Sequence, residues 1–339
     1  MPSRKTNLTT SATLKDLARL AGVSPITASR ALHKPELVAQ ETRARVIQAV
    51  EQSGYVPNSL AGALTSRQTR LVAAIVPSIA HTLFSDMVDG MLSTFASHRY
   101  EMTLGVSHHD PLNEEKWLAT LLSRRPDGVV LTGTEHTARS RRLLLNAGIP
   151  VAELWDYVAH PLDICVGFSH EDVGRAAYRH LSTAGHRHCA VLRGDDSRAA
   201  RRGQGFRRAA ADDGKPSPLE IVVPADLPQA SRGRAALEQL RALDASVDAV
   251  FCSTDTLAHG VLAHAHSLGL HVPSQLGVLG FGDEALATNS IPALSTVRVE
   301  GSLIGRAGAE ALIARMGGLD VATSQDVGFQ VLARASTGT

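Results

Sequence analysis

The sequence predicts a small all-α module followed by an α/β body of two doubly wound parallel-sheet subdomains. Three observations carry this. Short amphipathic segments with clear end signals fill the chain before residue 55, and nine apolar runs separated by stretches of helical length follow residue 70. The charge also changes sign between the two parts: the 339 residues sum to +1, yet residues 1–70 hold ten Lys and Arg against four acids, so the body is net acidic. A basic segment on an acidic body implies a polyanionic partner for that segment alone.

In chain order, Thr13 can cap a first helix whose third residue is Asp16, with Leu14, Leu17, Ala18 and Ala21 on one face. Gly22 ends it. Ser24 is an N-cap with Pro25 at the first helical position, where a missing N–H costs nothing, and the second helix turns Ala28, Ala31 and Leu32 inward. Ile26, Thr27, Ser29, Arg30 and His33 are left largely outward. A third helix over 40–53 offers Val46, Ile47, Ala49 and Val50 and stops at Gly54. No helix of this length is stable alone, so the three must pack around Leu17, Val23, Leu32, Val38, Val46 and Val50. Helix, tight turn and polar-faced second helix make a helix-turn-helix, whose second helix can enter a DNA major groove.

The segment "GYVPNSLAGALTSRQTR" links this headpiece (1–57) to the body as a hinge (58–70), where Asn58 starts a short helix and Ala61 and Leu64 share a face. Beyond it, runs such as "LVAAIVP", "DGVVLTG", "ICVGFS" and "LGVLGFGD" alternate with helical stretches, including 83–98 and 174–183. Continuous apolar strands alternating with helices indicate parallel sheets covered on both faces, and nine exceed one comfortable sheet. Ligands of such sheets bind at the carboxyl ends of the strands. There stand Ser78, Asp156, Arg198, Arg201, Arg202, Thr254, Asp255 and Asp283.

Other classes find little support. No nucleophile elbow, Walker loop or H-E-x-x-H motif occurs, so an enzyme is not expected, and "GQGF" lacks the spacing of a dinucleotide fingerprint. Histidines in "GHRH", "SHH" and "HAH" lack a matching ligand set, so neither metal nor cofactor is expected. Cys165, Cys189 and Cys252 sit in apolar runs and read as free buried thiols. The polar, basic start and the lack of a long apolar run point to the cytoplasm. A transporter's solute-binding protein would need a signal peptide and no headpiece.

"TLKDLARLAGVSPITASRAL" with "ETRARVIQAVEQSGYVPN" resembles the headpiece of the LacI/GalR family of bacterial transcription regulators, and the match runs through almost the whole chain. The resemblance implies a homodimer on a palindromic operator, a periplasmic-binding-protein-like type I core, and release of the DNA by a small-molecule effector. It places Pro25, Ile26 and Arg30 at base-reading positions, with Ser24, Thr27, Ser29 and His33 near phosphates and Thr13 beside them in the interface. In the hinge it sets Asn58, Ala61 and Leu64 in the minor groove, Leu64 as a wedge. One departure is Ala39, where relatives carry a capping Ser.

In the core, the resemblance gives three crossings, near Gly167, Pro292 and Val327. The body (71–339) then divides into an N-subdomain of 71–167 plus 293–326 and a C-subdomain of 168–292 plus 327–339. Ser78, Asp156, Arg202 and Thr254 fall on effector-contacting positions. Asp156 would accept from sugar hydroxyls and Arg202 would clamp a carboxylate. Gly282 replaces the acid of sugar-binding relatives, which favours an anionic ligand. "VPSIAHTLFSDMVDGM", "IPVAELWD" and "VFCSTDTLAHG" are similar to the gluconate-operon repressors. A sugar acid such as gluconate, a ketogluconate or 6-phosphogluconate is therefore the implied effector, with a neutral sugar as the alternative.

Overall fold

The computed structural model describes residues 12–55, 68–80, 82–224, 227 and 229–338. It divides into two compact units, Met1–Thr69 and Arg70–Thr339. The hinge positions Asn58, Ala61 and Leu64 lie outside the described residues.

In the first unit, α1 (Leu14–Leu20) starts in a capping box: the Asp16 N–H donates to Thr13 Oγ1, and the Thr13 N–H donates back to the Asp16 carboxylate. Helix α2 (Pro25–His33) follows Ser24, whose Oγ accepts from the Thr27 N–H at 3.1 Å. Helix α3 (Gln40–Ser53) begins at Ala39 without a side-chain cap and ends at Gly54, whose φ of 62° closes the last turn. Leu17 and Val46 are fully buried, and the rest of the buried core is alanine: Ala18, Ala21, Ala28, Ala31 and Ala49. Small side chains let three short helices approach closely.

The second unit holds two six-stranded sheets. The first contains β1 (Leu71–Val76), β2 (Glu101–Val106), β3 (Gly128–Thr132), β4 (Val151–Asp156), β5 (Ile164–Phe168) and β11 (Ser324–Asp326), in the order β11-β5-β4-β3-β1-β2 and parallel throughout. The second contains β6 (Cys189–Gly194), β7 (Leu219–Val223), β8 (Ala249–Cys252), β9 (Gly277–Gly282), β10 (Ser295–Arg298) and β12 (Gln330–Leu332), in the order β12-β10-β9-β8-β6-β7. Only β12 runs antiparallel, pairing Thr296 with Leu332. Strands β1, β3, β4, β5, β8 and β9 are buried along nearly their whole length, which is why they read as unbroken apolar runs.

Helices α4 (Thr82–Ser97), α5 (Pro111–Leu122), α6 (Ala138–Ala147) and α11 (Gly301–Met316) accompany the first sheet; α7 (His170–Thr183), α8 (Ser197–Asp212), α9 (Gln229–Leu243) and α10 (Asp255–Ser267) accompany the second. The three cysteines are free and buried, and burial pushes the Cys165 thiol up to about 11 and Cys189 to about 12. No helix among the described residues is long and apolar enough to cross a membrane.

One expected boundary is corrected. Placing the second crossing at Pro292 assigned 293–298 to the N-subdomain, but β10 pairs in parallel with β9, Ser295 opposite Leu279 and Arg298 opposite Gly282. The crossing therefore follows Arg298, and α11 then packs on α4 of the first subdomain. The polar residues Ser295 and Thr296 masked this strand in the sequence; both are fully buried and hydrogen-bonded.

Helices α7 and α8 pack at backbone contact, Gly174 against the Arg202 carbonyl and Gly205 against that of Glu171. A Cβ at either glycine would collide with backbone that cannot yield. Gly174→Ala should therefore lower stability by about 1–3 kcal/mol through overpacking, read from the midpoint of urea denaturation.

Candidate functional site

The headpiece presents one polar-edged helix. Ser24, Pro25, Ile26 and Arg30 on α2 are exposed, Ile26 at 65%, while Thr27 and Ser29 are half-buried. The Arg30 side chain makes no hydrogen bond or ion pair among the described residues. A guanidinium and an apolar β-branched side chain on the outer face suit a guanine edge and a thymine methyl. The first-turn N–H groups suit a phosphate. Ser24 and Thr27 also serve the cap, their hydroxyls 2.9 Å apart. Thr13 is exposed and held to Asp16 by a 2.7 Å hydrogen bond.

The body carries a cavity of about 300 Å³ between its two sheets. The first subdomain lines it with Leu83, Phe84, His108, His109 and Trp155; the second adds Asp195, Arg198, Arg202, Thr254, Phe281 and Glu284, among others. A second lobe of about 260 Å³ opens beyond Arg198 and reaches Asp156, Glu114 and Glu135. The floor is aromatic, Phe84, Trp155 and Phe281 backed by the buried Phe168: Phe84 to Trp155 at 4.9 Å, Trp155 to Phe168 at 5.6 Å and Phe168 to Phe281 at 6.2 Å.

Arg202 projects from α8 onto this floor, its guanidinium carbon 4.2 Å from the Phe281 ring centre. It is 5% exposed. Its Nη1 donates to His170 Nδ1 at 2.9 Å and its Nη2 to the Ser253 carbonyl at 3.1 Å, while Nε has no partner. Burial, reinforced by Arg198 and Arg201, pushes its pKa down to about 10, so it stays cationic at neutral pH. A buried cation with an unused donor on a cavity wall can meet an anion or a strong acceptor.

Asp156 ends β4 and is 1% exposed. Its Oδ1 lies 2.9 Å from His170 Nε2 and 3.7 Å from Arg198 Nε, and its Oδ2 accepts from Arg201 Nη2 at 2.9 Å and from the Thr134 N–H at 3.2 Å. Burial raises the carboxyl, but His170, Arg198 and Arg201 outweigh it and hold the group well below the ordinary range. Asp156 is thus surrounded by protein cations on the wall of the second lobe, with its Oδ1 making no aligned hydrogen bond.

The other candidates separate. Thr254 lines the cavity while its Oγ1 caps α10. Arg198 lines both lobes and donates to the Thr132 carbonyl at 2.8 Å. Ser78 lines neither lobe, and its Oγ accepts from the Ala80 N–H. Asp255 is fully buried, accepts from Thr296 Oγ1 at 2.6 Å and the Glu284 N–H at 2.8 Å, and is pushed up to about 6 by burial. Asp283 binds Arg298 at 2.7 Å and Arg334 at 2.6 Å. Both acids tie strand ends together and lie outside the two lobes.

Sequence reasoning missed His170, Trp155, Phe281 and Glu284. A signal existed for His170: Ser169 caps α7 by accepting from the Asp172 N–H, so the helix starts four residues before the expected 174. It also missed His136, whose buried ring bridges Glu114 at 2.7 Å and Glu153 at 3.2 Å. Among the described residues no cluster of His, Cys, Asp and Glu is arranged to hold a metal.

A helix-turn-helix joined to a two-sheet core with a ligand-sized cleft defines the class: a DNA-binding protein with a separate ligand-binding body. Residues 13–58 match the model of bacterial regulatory proteins of the lacI family, and residues 178–337 match a periplasmic binding protein-like domain. Over 337 residues, 98% of either chain, the sequence is 39% identical to the HTH-type transcriptional regulator GntR of Pseudomonas aeruginosa. A LacI-family regulator from Silicibacter pomeroyi superposes with a TM-score of 0.90 at 31% identity, covering 97% of this chain and all of the other. The regulator GntR from Chromobacterium violaceum gives 0.75 at 34% identity, over 79% of this chain and 99% of that one. The chain belongs to the lacI family, whose members are DNA-binding transcriptional regulators and not enzymes.

His136 makes stability depend on pH. Burial opposes its charge, but hydrogen bonds to Glu114 and Glu153 raise its pKa from 6.5 to about 9. A raised folded value means that the cluster stabilises fully below the unfolded pKa and progressively less as pH rises through the folded one. The stability advantage of wild type over His136→Gln, read by urea denaturation, should shrink by about 3 kcal/mol between about pH 6 and about pH 10.

Proposed function

We propose that this regulator is a homodimeric repressor of sugar-acid catabolic genes in the cytoplasm, released from a palindromic operator when a gluconate-type anion enters the interdomain cleft. The observation that carries the anion is Arg202, buried, cationic and with Nε unpaired on the cavity wall. Carboxylates at Asp195 and Glu284 on the same wall supply acceptors for the hydroxyls of a polyol chain. The resemblance to gluconate-operon repressors and the regulators named GntR among its relatives support the same reading.

On DNA, Arg30 reads a guanine and Ile26 a thymine methyl, Ser24, Thr27, Ser29 and His33 sit near the backbone, and the hinge from Asn58 through Ala61 inserts Leu64 into the minor groove. Two headpieces are needed because one helix reads only a few base pairs. Effector binding then needs only a coupling of about 1–3 kcal/mol to empty the operator.

Two measurements test this. Calorimetry against gluconate, 2-ketogluconate, 6-phosphogluconate and neutral hexoses should show binding of the acids, and Arg202→Gln should weaken it at least about tenfold while leaving operator affinity unchanged. Tight binding of a neutral sugar alone overturns the anion. With operator selected from random DNA, Arg30→Ala should cost about 1–3 kcal/mol and relax one position of the site. An unchanged sequence preference removes Arg30 from base reading.

A further inference from the structure

Among the buried titratable groups that the mechanism above leaves without a role is His170, the first residue of α7 and 2% exposed. Both of its ring nitrogens face charged groups from two different helices or strands. Arg202 can only donate, so Nδ1 must accept, and the proton of the neutral ring must sit on Nε2. Nε2 lies 2.9 Å from Asp156 Oδ1, close enough for the carboxylate charge to favour the proton there, although the two atoms are not aligned as a hydrogen bond. Phe168 packs edge-on against the ring at 4.6 Å and holds its plane.

The three residues belong to two bodies. His170 and Arg202 move together, because Gly174 and Gly205 lock α7 to α8 at backbone contact. Asp156 ends β4 in the first subdomain. Opening the cleft therefore breaks Asp156–His170 and Asp156–Arg201 but leaves His170 beside Arg202. When the cleft is closed, the Asp156 charge favours the tautomer that accepts from Arg202, and that hydrogen bond fixes the guanidinium with Nε unpaired.

We propose that His170 is a positioning residue that couples subdomain closure to the effector arginine. Closure orients Arg202, and by reciprocity a ligand on Arg202 favours closure. The inference rests on the reading that the cleft takes an anionic effector.

The test uses full-length protein, gluconate as probe and the selected operator. His170→Phe keeps the ring against Phe168 and removes both polar atoms; His170→Gln keeps one acceptor and one donor. For His170→Phe the expected result is a gluconate Kd raised at least about tenfold, and at least about a fivefold loss in the ratio of operator affinities without and with saturating gluconate. Operator affinity without gluconate should stay within about twofold of wild type. His170→Gln should fall between, which a merely space-filling role would not produce. A folded His170→Phe with wild-type gluconate Kd and ratio overturns the proposal. Neutron diffraction from wild-type crystals needs no variant: a deuteron on Nε2 and none on Nδ1 is expected, and the reverse overturns the relay even if the variants fail to fold. Should wild type ignore gluconate and the other sugar acids, the anion reading falls by itself, and the neutron result still decides the relay.

Discussion

A carboxylate with almost no solvent around it is tolerable only if cations and N–H groups stand within a few ångströms, and the body of this regulator is arranged around that requirement at Asp156. Strand β4 of the first subdomain delivers the charge, and α8 of the second delivers Arg198 and Arg201 to meet it. Neither subdomain can satisfy its half alone. Removing one partner from such a cluster is far costlier than the net worth of the pairs, because the remainder stays buried and uncompensated. The same geometry leaves Arg202, one residue further along α8, to face the cavity instead of the acid.

The headpiece solves a different problem with little material. Its buried core is mostly alanine, so the apolar area available per residue is small, and its helices are too short to persist unaided. End chemistry has to make up the difference: the Thr13–Asp16 box, the Ser24 cap with Pro25 behind it, and Gly54 at the end of α3. Ala39 forgoes one such contribution, worth about 1 kcal/mol in comparable helices. What results is a scaffold just large enough to hold α2 with Ile26 and Arg30 outward.

Much of this was legible because local rules and global fold agreed. Caps at Thr13 and Ser24 and buried strands such as "VAAIV" announce themselves through spacing and unbroken apolarity. What escaped was polar and non-local. Strand β10 is hidden by Ser295 and Thr296, which look like loop residues until the C-terminal segment supplies Ser336 and Asp255 supplies a carboxylate. Asp255 and Asp283 stand at strand ends, where ligand-binding acids also stand; only distances reveal that their partners are Thr296, Arg298 and Arg334. Nothing in "GFSHED" says that His170 will face an arginine 32 positions away.

The cleft also holds strain at a telling place. Trp155 lies at a φ of 81°, a left-handed conformation that costs a bulky residue on the order of 1–3 kcal/mol, and it sits between the cavity floor and Asp156. Such a backbone survives only where its neighbours overdetermine it. Here they do so from both subdomains: Phe84 and Phe168 clamp the ring, pairing with Gly167 fixes the strand, and the cations on Asp156 anchor the next residue. Separating the subdomains removes the last of these supports and keeps the first two. The strain is therefore held by the aromatic clamp and strand pairing within the first subdomain together with one support from the second, the cations on Asp156.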